Sequence, residues 1–238
     1  MSVRRSCPNR LPAGWRLGGR APAPNLYYRF MRRLCQVTMC LMWKVRVFDR
    51  HHEPAEGGAV YLCNHQSFLD PMLMSFALRR PMNYMARDSL FRFPVFKQII
   101  RSLNAFPVRR GKADVGALKE AMRRLKSGGQ VVIFPEGTRT HDGRIGPFLP
   151  GAAVLCQRAA EWTVPVVIDG AFEAWPRTAP LPAPGSVIVQ YAPPIPRAEA
   201  RKQAPEEFVE GIRQQIIEMQ ADVRRRAGRP AINYSYRG

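Results

Sequence analysis

The sequence predicts an α/β fold, a single domain in which helices cover a mainly parallel mixed sheet. Short β-rich runs alternate with helical patterns from residue 45 onward, and such alternation is typical of parallel sheets with helical crossovers. The chain has 238 residues, of which 46% are hydrophobic, so it can bury one sizeable core. An N-terminal amphipathic, membrane-associating helix is predicted to precede this domain.

The start of the chain differs in composition from the rest. Residues 1–24 are rich in proline, glycine and arginine, which predicts a disordered basic N-terminus. Residues 25–44 predict an amphipathic helix, because its arginines fall within one arc of a helical projection. Such a helix can lie in a membrane interface, and packing on the domain core is the alternative. Its longest apolar run, residues 37–43, is shorter than the ~20 residues that a membrane span requires.

The α/β domain itself is predicted to cover residues 45–226, followed by a tail at 227–238. Strands are short runs rich in β-branched or aromatic residues, and helices have apolar side chains at helical spacing. The predicted strands are residues 45–48, 59–64, 82–86, 105–108, 130–134, 164–168 and 187–191, and the predicted helices are 71–79, 89–102, 113–127, 152–161 and 205–226. The proline-rich stretch 175–185 is predicted to be a loop.

The formal net charge of +19 predicts anionic partners. A phospholipid surface, an acidic carrier protein, a phosphorylated substrate and nucleic acid all meet this condition. The five cysteines form neither a paired framework nor a C-x-x-C motif, which argues against a structural zinc site and favours a reducing compartment.

His65 and Asp70 are the first candidate catalytic residues, separated by four residues directly after an apolar run. In one ideal helix, five steps of about 100° leave two side chains about 140° apart. The two can therefore meet only if the chain turns between them, from a strand that ends near His65 to a helix that starts near Asp70. A carboxylate fixes the tautomer of a neighbouring imidazole, so the spacing predicts a general base. Alternatively, Asp70 and Pro71 only begin a helix.

Polar clusters also follow two other predicted strands, at Arg109-Arg110 and from Glu136 to Arg139. Chemistry in open α/β sheets gathers at strand ends, and guanidinium groups suit phosphate. The chain contains no glycine-rich nucleotide loop and no G-x-S-x-G motif. The remaining chemistry is attack of a substrate hydroxyl, activated by His65, on an electrophile such as a thioester.

Cys63 offers a different nucleophile. It lies two positions before His65, so both side chains would point to the same side of a strand. A Cys–His acyl-enzyme is therefore conceivable, but a buried strand cysteine is the favoured interpretation.

Four sequence blocks, taken in order, resemble the 1-acylglycerol-3-phosphate acyltransferase family of glycerolipid acyltransferases. The blocks are N-H-x4-D at 64–70, F-P-V-R-R-G at 106–111, F-P-E-G-T-R-T at 134–140 and V-P-V-V at 164–167. The first and third blocks are specific, whereas the second and fourth would be weak alone. The resemblance implies transfer of a fatty acyl group from acyl-CoA or acyl-carrier protein, as co-substrate, to a free glycerol hydroxyl, without a metal or other cofactor.

The resemblance also implies a role for each matching residue. His65 would be the general base and Asp70 its orienting partner, with Asn64 and Ser67 as local supports. Pro165 matches the fourth block, which is tied to placing the acyl donor.

The acceptor is implied to bind through the second and third blocks. Arg110 would contact the acceptor's phosphate. The preceding residue is often acidic in the family but is an arginine here, Arg109, so either arginine or both could make this contact. The segment 148–151 (F-L-P-G) lacks a lysine that is common in the family, so both departures bear on acceptor identity. The acceptor-binding loop would consist of Glu136, Gly137, Thr138 and Arg139, with Arg139 on phosphate and Glu136 on a glycerol hydroxyl or on loop structure.

The function expected from these observations is synthesis of phosphatidic acid from lysophosphatidic acid in phospholipid biosynthesis. The same chemistry on another lysolipid, such as a lyso-ornithine lipid, is the first alternative. A non-catalytic basic protein that binds membranes or nucleic acid is the second, although it does not explain the spacing of His65 and Asp70. The expected location is peripheral or interfacial, on the cytoplasmic face of an anionic membrane, with no transmembrane span or signal peptide and with nucleic acid the disfavoured partner.

Overall fold

The computed structural model describes residues 26–109 and 114–234. The predicted disordered segment 1–24 and Arg110 lie outside the described residues. Within the described ranges, eight strands form one sheet. They are β1 (Trp43–Phe48), β2 (Ala59–Cys63), β3 (Met82–Arg87), β4 (Ala105–Val108), β5 (Gln130–Ile133), β6 (Trp162–Asp169), β7 (Gly185–Tyr191) and β8 (Ile195–Pro196).

The sheet has the strand order β1-β7-β6-β2-β5-β3-β4, and β8 pairs with β6. All neighbours are parallel except the pairs β6–β7 and β6–β8. The prediction of a mainly parallel mixed sheet is therefore confirmed. In the centre, Leu62 of β2 pairs with Ile133 of β5 and with Pro165 of β6. Because these three strands are parallel, their carboxyl ends lie at one edge of the sheet, where a site can form.

Helices cover both faces of the sheet. They are α1 (Leu26–Met42), α2 (Asp70–Phe76), α3 (Pro94–Ser102), α4 (Val115–Lys126), α5 (Gly151–Arg158), α6 (Ala171–Ala174), α7 (Arg197–Ala200) and α8 (Pro205–Arg226). One core cluster joins α1, α2 and α6 to one face, and a second joins α4, α5, α7 and α8 to the other face. The alternating side chains of β2 supply both clusters, as expected for a strand that is covered on both sides.

The structure divides the predicted helix 89–102 into two parts. A 3₁₀ turn covers Asp88–Arg92, and α3 begins only at Pro94. Phe93 between them has extended backbone angles, because a residue that precedes proline is disfavoured in the helical region. Proline is favoured in the first turn of a helix, so α3 starts there. The two-residue strand β8 and the four-residue helices α6 and α7 were not predicted because they are too short to show a period.

The N-terminal helix α1 packs on the domain through part of its surface. Tyr28 and Met39 are buried, and the Arg32 guanidinium donates to the carbonyls of Leu78 and Arg79 at 2.8 and 2.9 Å. Along the residues that the structure describes, no helix combines the length and apolar character needed to cross a bilayer. Helix α1 packs one surface on the core, while Phe30, Leu41 and other large apolar side chains on it are exposed.

The described part of the C-terminal segment also contacts the domain. Arg229 forms an ion pair of 2.6 Å with Asp169 at the end of β6, and Arg224 of α8 pairs with the same carboxylate at 2.8 Å. The hydroxyl of Tyr234 accepts a hydrogen bond from the amide of Ile145 at 3.1 Å. These contacts hold residues 227–234 against the side of the sheet that α8 covers.

Candidate active site

His65 and Asp70 meet directly beyond the carboxyl end of β2. The chain leaves the sheet after Cys63, and α2 begins at Asp70, so the backbone turns between the two residues. His65 Nδ1 lies 2.7 Å from Asp70 Oδ2. The same oxygen accepts hydrogen bonds from the amides of Gln66 and Ser67 at 2.6 and 2.7 Å. Asp70 thus fixes both the imidazole and the turn that carries it, while also starting α2.

This contact decides which ring nitrogen of His65 can act as a base. An ionised carboxylate only accepts hydrogen bonds, so the proton between the two groups belongs to Nδ1. The lone pair is then on Nε2. The ring also stacks on Phe134, with the centroids 4.1 Å apart and the planes inclined by 18°. Contact with a carboxylate on one edge and with an aromatic ring on one face holds the imidazole in this orientation.

Asn64 and Ser67 tie the turn to neighbouring segments. The Asn64 amide side chain donates to the carbonyl of Ile168 at 2.9 Å and accepts from its amide at 2.8 Å. The Ser67 hydroxyl donates to the carbonyl of Trp175 at 2.8 Å. Both side chains therefore bond the backbone of neighbouring segments, which anchors the turn to β6 and to the loop after α6.

The Glu136 side chain binds the main chain at His65 and at Gly146. Its two carboxylate oxygens accept hydrogen bonds from the amide of His65 at 2.7 Å and from the amide of Gly146 at 2.9 Å. Burial raises the pKa of Glu136 to about 7, against the lowering effect of these two hydrogen bonds. Of the two roles expected for Glu136, the geometry matches the one in loop structure, since main-chain groups occupy both oxygens.

We expect the free energy of unfolding to reflect the raised pKa of Glu136. Between the ordinary pKa of 4.5 and the folded pKa of about 7, the unfolded chain loses this proton while the folded chain keeps it. Stability therefore falls as pH rises through this window, by roughly 3 kcal/mol at about 1.4 kcal/mol for each pH unit. Urea unfolding of the parent and of Glu136→Gln across this range measures the effect, which the variant should lack.

The control for that experiment is Glu206→Gln, which neutralises an exposed carboxylate at the start of α8. Its unfolding free energy should follow the pH profile of the parent. Parallel profiles for the parent and Glu136→Gln would contradict the assignment of the proton to Glu136.

Arg139 lies next to the turn that carries His65 and stacks on an aromatic side chain from it. Its guanidinium carbon is 3.5 Å from the centroid of the Phe68 ring, and that ring is 5.2 Å from the ring of Trp175. The amide of Thr140 donates to the carbonyl of His65 at 2.8 Å. The loop after β5 is thus bonded to the turn after β2, and its guanidinium lies over the Phe68 ring of that turn.

The other residues expected in the acceptor-binding loop are placed at its tip. Gly137 has a φ of 69°, a left-handed conformation that favours glycine, and both Gly137 and Thr138 are exposed. Arg109 is exposed at the end of β4, and its amide donates to Asp114 Oδ2 at 2.9 Å. Two strands, β3 and β5, separate β4 from β2, so Arg109 belongs to a more distant part of the same edge.

Pro165 lies inside the sheet. It is buried in β6, where it pairs with Leu62 of β2, and its carbonyl accepts a hydrogen bond from Ala192 at 2.9 Å. Its role in placing an acyl donor stays a prediction.

Sequence reasoning missed two residues that support the site from outside the motifs. The Arg213 guanidinium of α8 donates to the carbonyls of Gly146 and Ile145 at 2.8 and 3.2 Å, which holds the segment that binds Glu136. The side chain of Gln66 contacts the carbonyl of Gly143 at 3.4 Å and the amide of Phe172 at 3.3 Å. Gln66 could have been found because it stands inside the first motif, but nothing in the sequence distinguishes Arg213 from other helix arginines.

Cys63 is fully buried in β2. Burial raises the pKa of its thiol well above 9.0, which disfavours the thiolate that nucleophilic attack requires. We expect Cys63→Ala to keep acyl-transfer activity within about threefold of the parent and to lower stability by about 1 kcal/mol through a small cavity. Steady-state kinetics and urea unfolding check the two effects. Near-total loss of activity in a folded variant would support Cys63 as the nucleophile of an acyl-enzyme.

Within the described ranges 26–109 and 114–234, no group of three or more His, Cys, Asp or Glu side chains is placed to hold a metal ion. The site itself combines an imidazole held by a carboxylate with a guanidinium on the adjoining loop, a set suited to moving a proton from a hydroxyl beside an anionic group.

Comparisons with known proteins identify a family and a similar fold. Residues 44–169 match the family model described as Acyltransferase. The chain is 30% identical over 144 residues to a 1-acyl-sn-glycerol-3-phosphate acyltransferase of Bacillus subtilis, which covers 60% of this chain and 71% of the relative. It is 28% identical over 159 residues to a chloroplastic 1-acyl-sn-glycerol-3-phosphate acyltransferase of Arabidopsis thaliana, which covers 65% of this chain and 44% of the relative.

Among solved structures, the 1-acyl-sn-glycerophosphate acyltransferase PlsC of Thermotoga maritima is similar in fold, with a TM-score of 0.69 and 23% identity. The match covers 82% of this chain and 80% of that protein. By contrast, the chain spans less than half the length of the chloroplastic relatives from Arabidopsis thaliana and Brassica napus. The family resemblance predicted from the four sequence blocks is confirmed.

Proposed function

Because this chain belongs to the acyltransferase family, we propose that it acylates the free hydroxyl of 1-acylglycerol-3-phosphate and so makes phosphatidic acid for phospholipid biosynthesis. The acyl donor would be acyl-CoA or acyl-carrier protein, as co-substrate, with no further cofactor. The observation that carries this proposal is the buried His65–Asp70 pair at 2.7 Å, with the Arg139 guanidinium stacked on Phe68 of the same turn.

In the proposed reaction, His65 Nε2 removes the proton of the acceptor hydroxyl. The oxygen then forms a bond to the thioester carbonyl, and the carbon–sulfur bond breaks. The thiolate leaves and receives the proton from the imidazolium, which restores the neutral histidine. Asp70 contributes by stabilising the positive charge on the imidazolium while the oxygen attacks. His65 thus acts first as base and then as acid, without a covalent enzyme intermediate.

Arg139 is the proposed phosphate contact beside this base. Guanidinium forks bind phosphate through two parallel hydrogen bonds, and the Phe68 ring keeps the guanidinium plane in place. Arg109 would contribute positive charge from the more distant part of the edge. The contact of Arg110 with the phosphate stays a prediction, because that residue lies outside the described ones. The Gly137–Thr138 tip is exposed and would contact the glycerol end of the acceptor.

We expect Arg139→Gln to raise the KM for lysophosphatidic acid about tenfold or more, because a charge-assisted contact to phosphate is lost. Phe68→Leu should raise the same KM about threefold, as expected for loss of a cation–π contact. Neither variant should change the KM for 1-acylglycerol, which has no phosphate. Steady-state kinetics with both acceptors measure these effects.

The matched control is Arg158→Gln, which removes an exposed guanidinium from α5. It should behave as the parent with both acceptors. If Arg139→Gln raises the KM for 1-acylglycerol as much as that for lysophosphatidic acid, the guanidinium does not bind the phosphate.

A second candidate acceptor is a lyso-ornithine lipid. Arg109 and the lysine-free segment 148–151 depart from the common family pattern, which favours comparison with a lyso-ornithine lipid. Higher kcat/KM for that lipid than for lysophosphatidic acid would keep the chemistry and change the acceptor.

We further propose that α1 attaches the protein to the cytoplasmic face of an anionic membrane. Its outer surface exposes large apolar side chains, with Phe30 63% and Leu41 81% exposed. Arg29 and Arg33 are exposed on the same helix. An apolar stripe with basic neighbours suits an interface between acyl chains and anionic headgroups. The net charge of +19 would also attract an acidic carrier protein.

A further inference from the structure

A second apolar surface lies far from α1 in the sequence, on residues 88–102. Phe93 is 67% exposed and Val95 is 77% exposed, and Leu90 and Ile99 are also more than a third exposed. Apolar side chains of this size gain free energy when they leave water. A group of exposed apolar side chains in one segment is typical of a site of interaction.

The topology places this surface on the same side of the sheet as α1. The crossovers from β2 to β3 and from β3 to β4 step in the same direction across the sheet. Such crossovers are right-handed, so α2 and α3 lie on the same face. Met39 of α1 and Leu73 of α2 belong to one core cluster. Helices α1, α2 and α3 therefore share one face, which we call the α1–α3 face.

Among the described residues, the helices of the opposite face show no comparable surface. On helices α4, α5 and α8, as far as the structure describes them, Val115 is the one large apolar side chain that is exposed. Helix α8 has 22 residues and contributes none. The exposure of apolar groups is thus a property of the α1–α3 face and not of the helices in general.

Charge indicates what covers this surface. Between residues 82 and 109 the one acidic residue is Asp88, against five basic residues, Arg87, Arg92, Lys97, Arg101 and Arg109. Arg92 and Arg101 are exposed beside the apolar group. Apolar side chains with arginines at their margin complement a bilayer that carries anionic headgroups.

The position of Phe93 and Val95 also relates this surface to the candidate active site. The 3₁₀ turn and α3 follow β3, whose carboxyl end lies at the same edge of the sheet as that of β2. Phe93 and Val95 are at the start of α3 and therefore near this edge, where His65 also lies. A lysolipid that leaves a bilayer in contact with them would enter the site over a short path.

We propose that residues 88–102 form a second membrane-contact surface, which together with α1 seats the α1–α3 face on an anionic phospholipid bilayer. This goes beyond the proposed function, in which α1 alone attaches the protein. The two surfaces together would fix the orientation of the domain, with the edge that carries His65 at the headgroups.

The test uses the full chain and vesicles of phosphatidylcholine with or without phosphatidylglycerol. We expect Phe93→Ser/Val95→Ser to weaken co-sedimentation with anionic vesicles about tenfold, equivalent to about 1.4 kcal/mol. The matched single variants are Val95→Ser and Val115→Ser, which remove the same exposed side chain from the first turn of a helix on either face. Val95→Ser should weaken binding, and Val115→Ser should bind as the parent does.

Hydrogen exchange with and without anionic vesicles provides a second measurement on the unmodified protein. Amides of α3 should exchange more slowly when vesicles are present, and those of α4 should not change. Equal vesicle binding by the parent and Phe93→Ser/Val95→Ser, with no protection of α3, would overturn the proposal. A parent that is dimeric and becomes monomeric in this variant, with unchanged vesicle binding, would assign the surface to a second copy instead. Binding is measured without acyl transfer, so neither result depends on the proposed reaction.

Discussion

Replacing His65 with alanine is expected to reduce kcat for acyl transfer about a thousandfold or more while the fold persists. The variant loses the group whose lone pair faces the acceptor hydroxyl in the proposed reaction. The structural cost should be small, because the amide of residue 65 still donates to Glu136 and its carbonyl still accepts from Thr140. Steady-state rates and the circular dichroism spectrum of the variant check both parts.

His51→Ala is the matched control for this substitution. His51 is exposed in the 3₁₀ turn after β1 and has no part in the proposed chemistry. Its variant should retain the rate of the parent. A His65→Ala protein that is folded and fully active would remove the histidine from the mechanism.

Substitutions of Asp70 are expected to separate geometry from charge. Three donors converge on Asp70 Oδ2, and Asp70→Ala leaves all three without their acceptor. We expect a loss of about 3 kcal/mol or more in the free energy of unfolding, together with loss of activity comparable to that of His65→Ala. Asp70→Asn can place its amide oxygen at the same point, so it should fold as the parent does.

The activity of Asp70→Asn then reports the negative charge alone. A neutral amide holds the imidazole but does not stabilise the imidazolium, and we expect kcat to fall about a hundredfold. Urea unfolding and kinetics of both variants provide the measurement. If Asp70→Asn is as active as the parent, the charge of Asp70 contributes nothing and its role is confined to the turn.

The fold could be predicted in most of its elements because each strand and each long helix has its own period in the sequence. The break before α3 was missed, although Pro94 marks it, because the apolar pattern continues through the proline. The position of α3 on the same face as α1 could not be derived from the pattern of α3 itself. It depends on the strand order, which brings together segments that are distant in sequence.

The contacts of the candidate site also fall into those that local sequence predicts and those that it does not. The contact of His65 with Asp70 could be anticipated from local spacing, since five residues allow only a turn to bring them together. The contacts of Glu136 could not, because both of its partners are main-chain amides, one of them 71 residues away. A carboxylate that binds main-chain amides leaves no sign in the residue types that surround it. The role of Arg213 could not be predicted for the same reason, since its guanidinium donates to two main-chain carbonyls.

The most direct test of the central claim is to identify the product of the parent chain by mass spectrometry. The protein is incubated with lysophosphatidic acid and isotope-labelled palmitoyl-CoA, and in parallel with the labelled acyl-carrier protein. The account predicts labelled phosphatidic acid from at least one donor, with one free thiol released for each acyl group transferred, and no product with His65→Ala. A folded parent that consumes neither donor, or releases only labelled fatty acid, would contradict it.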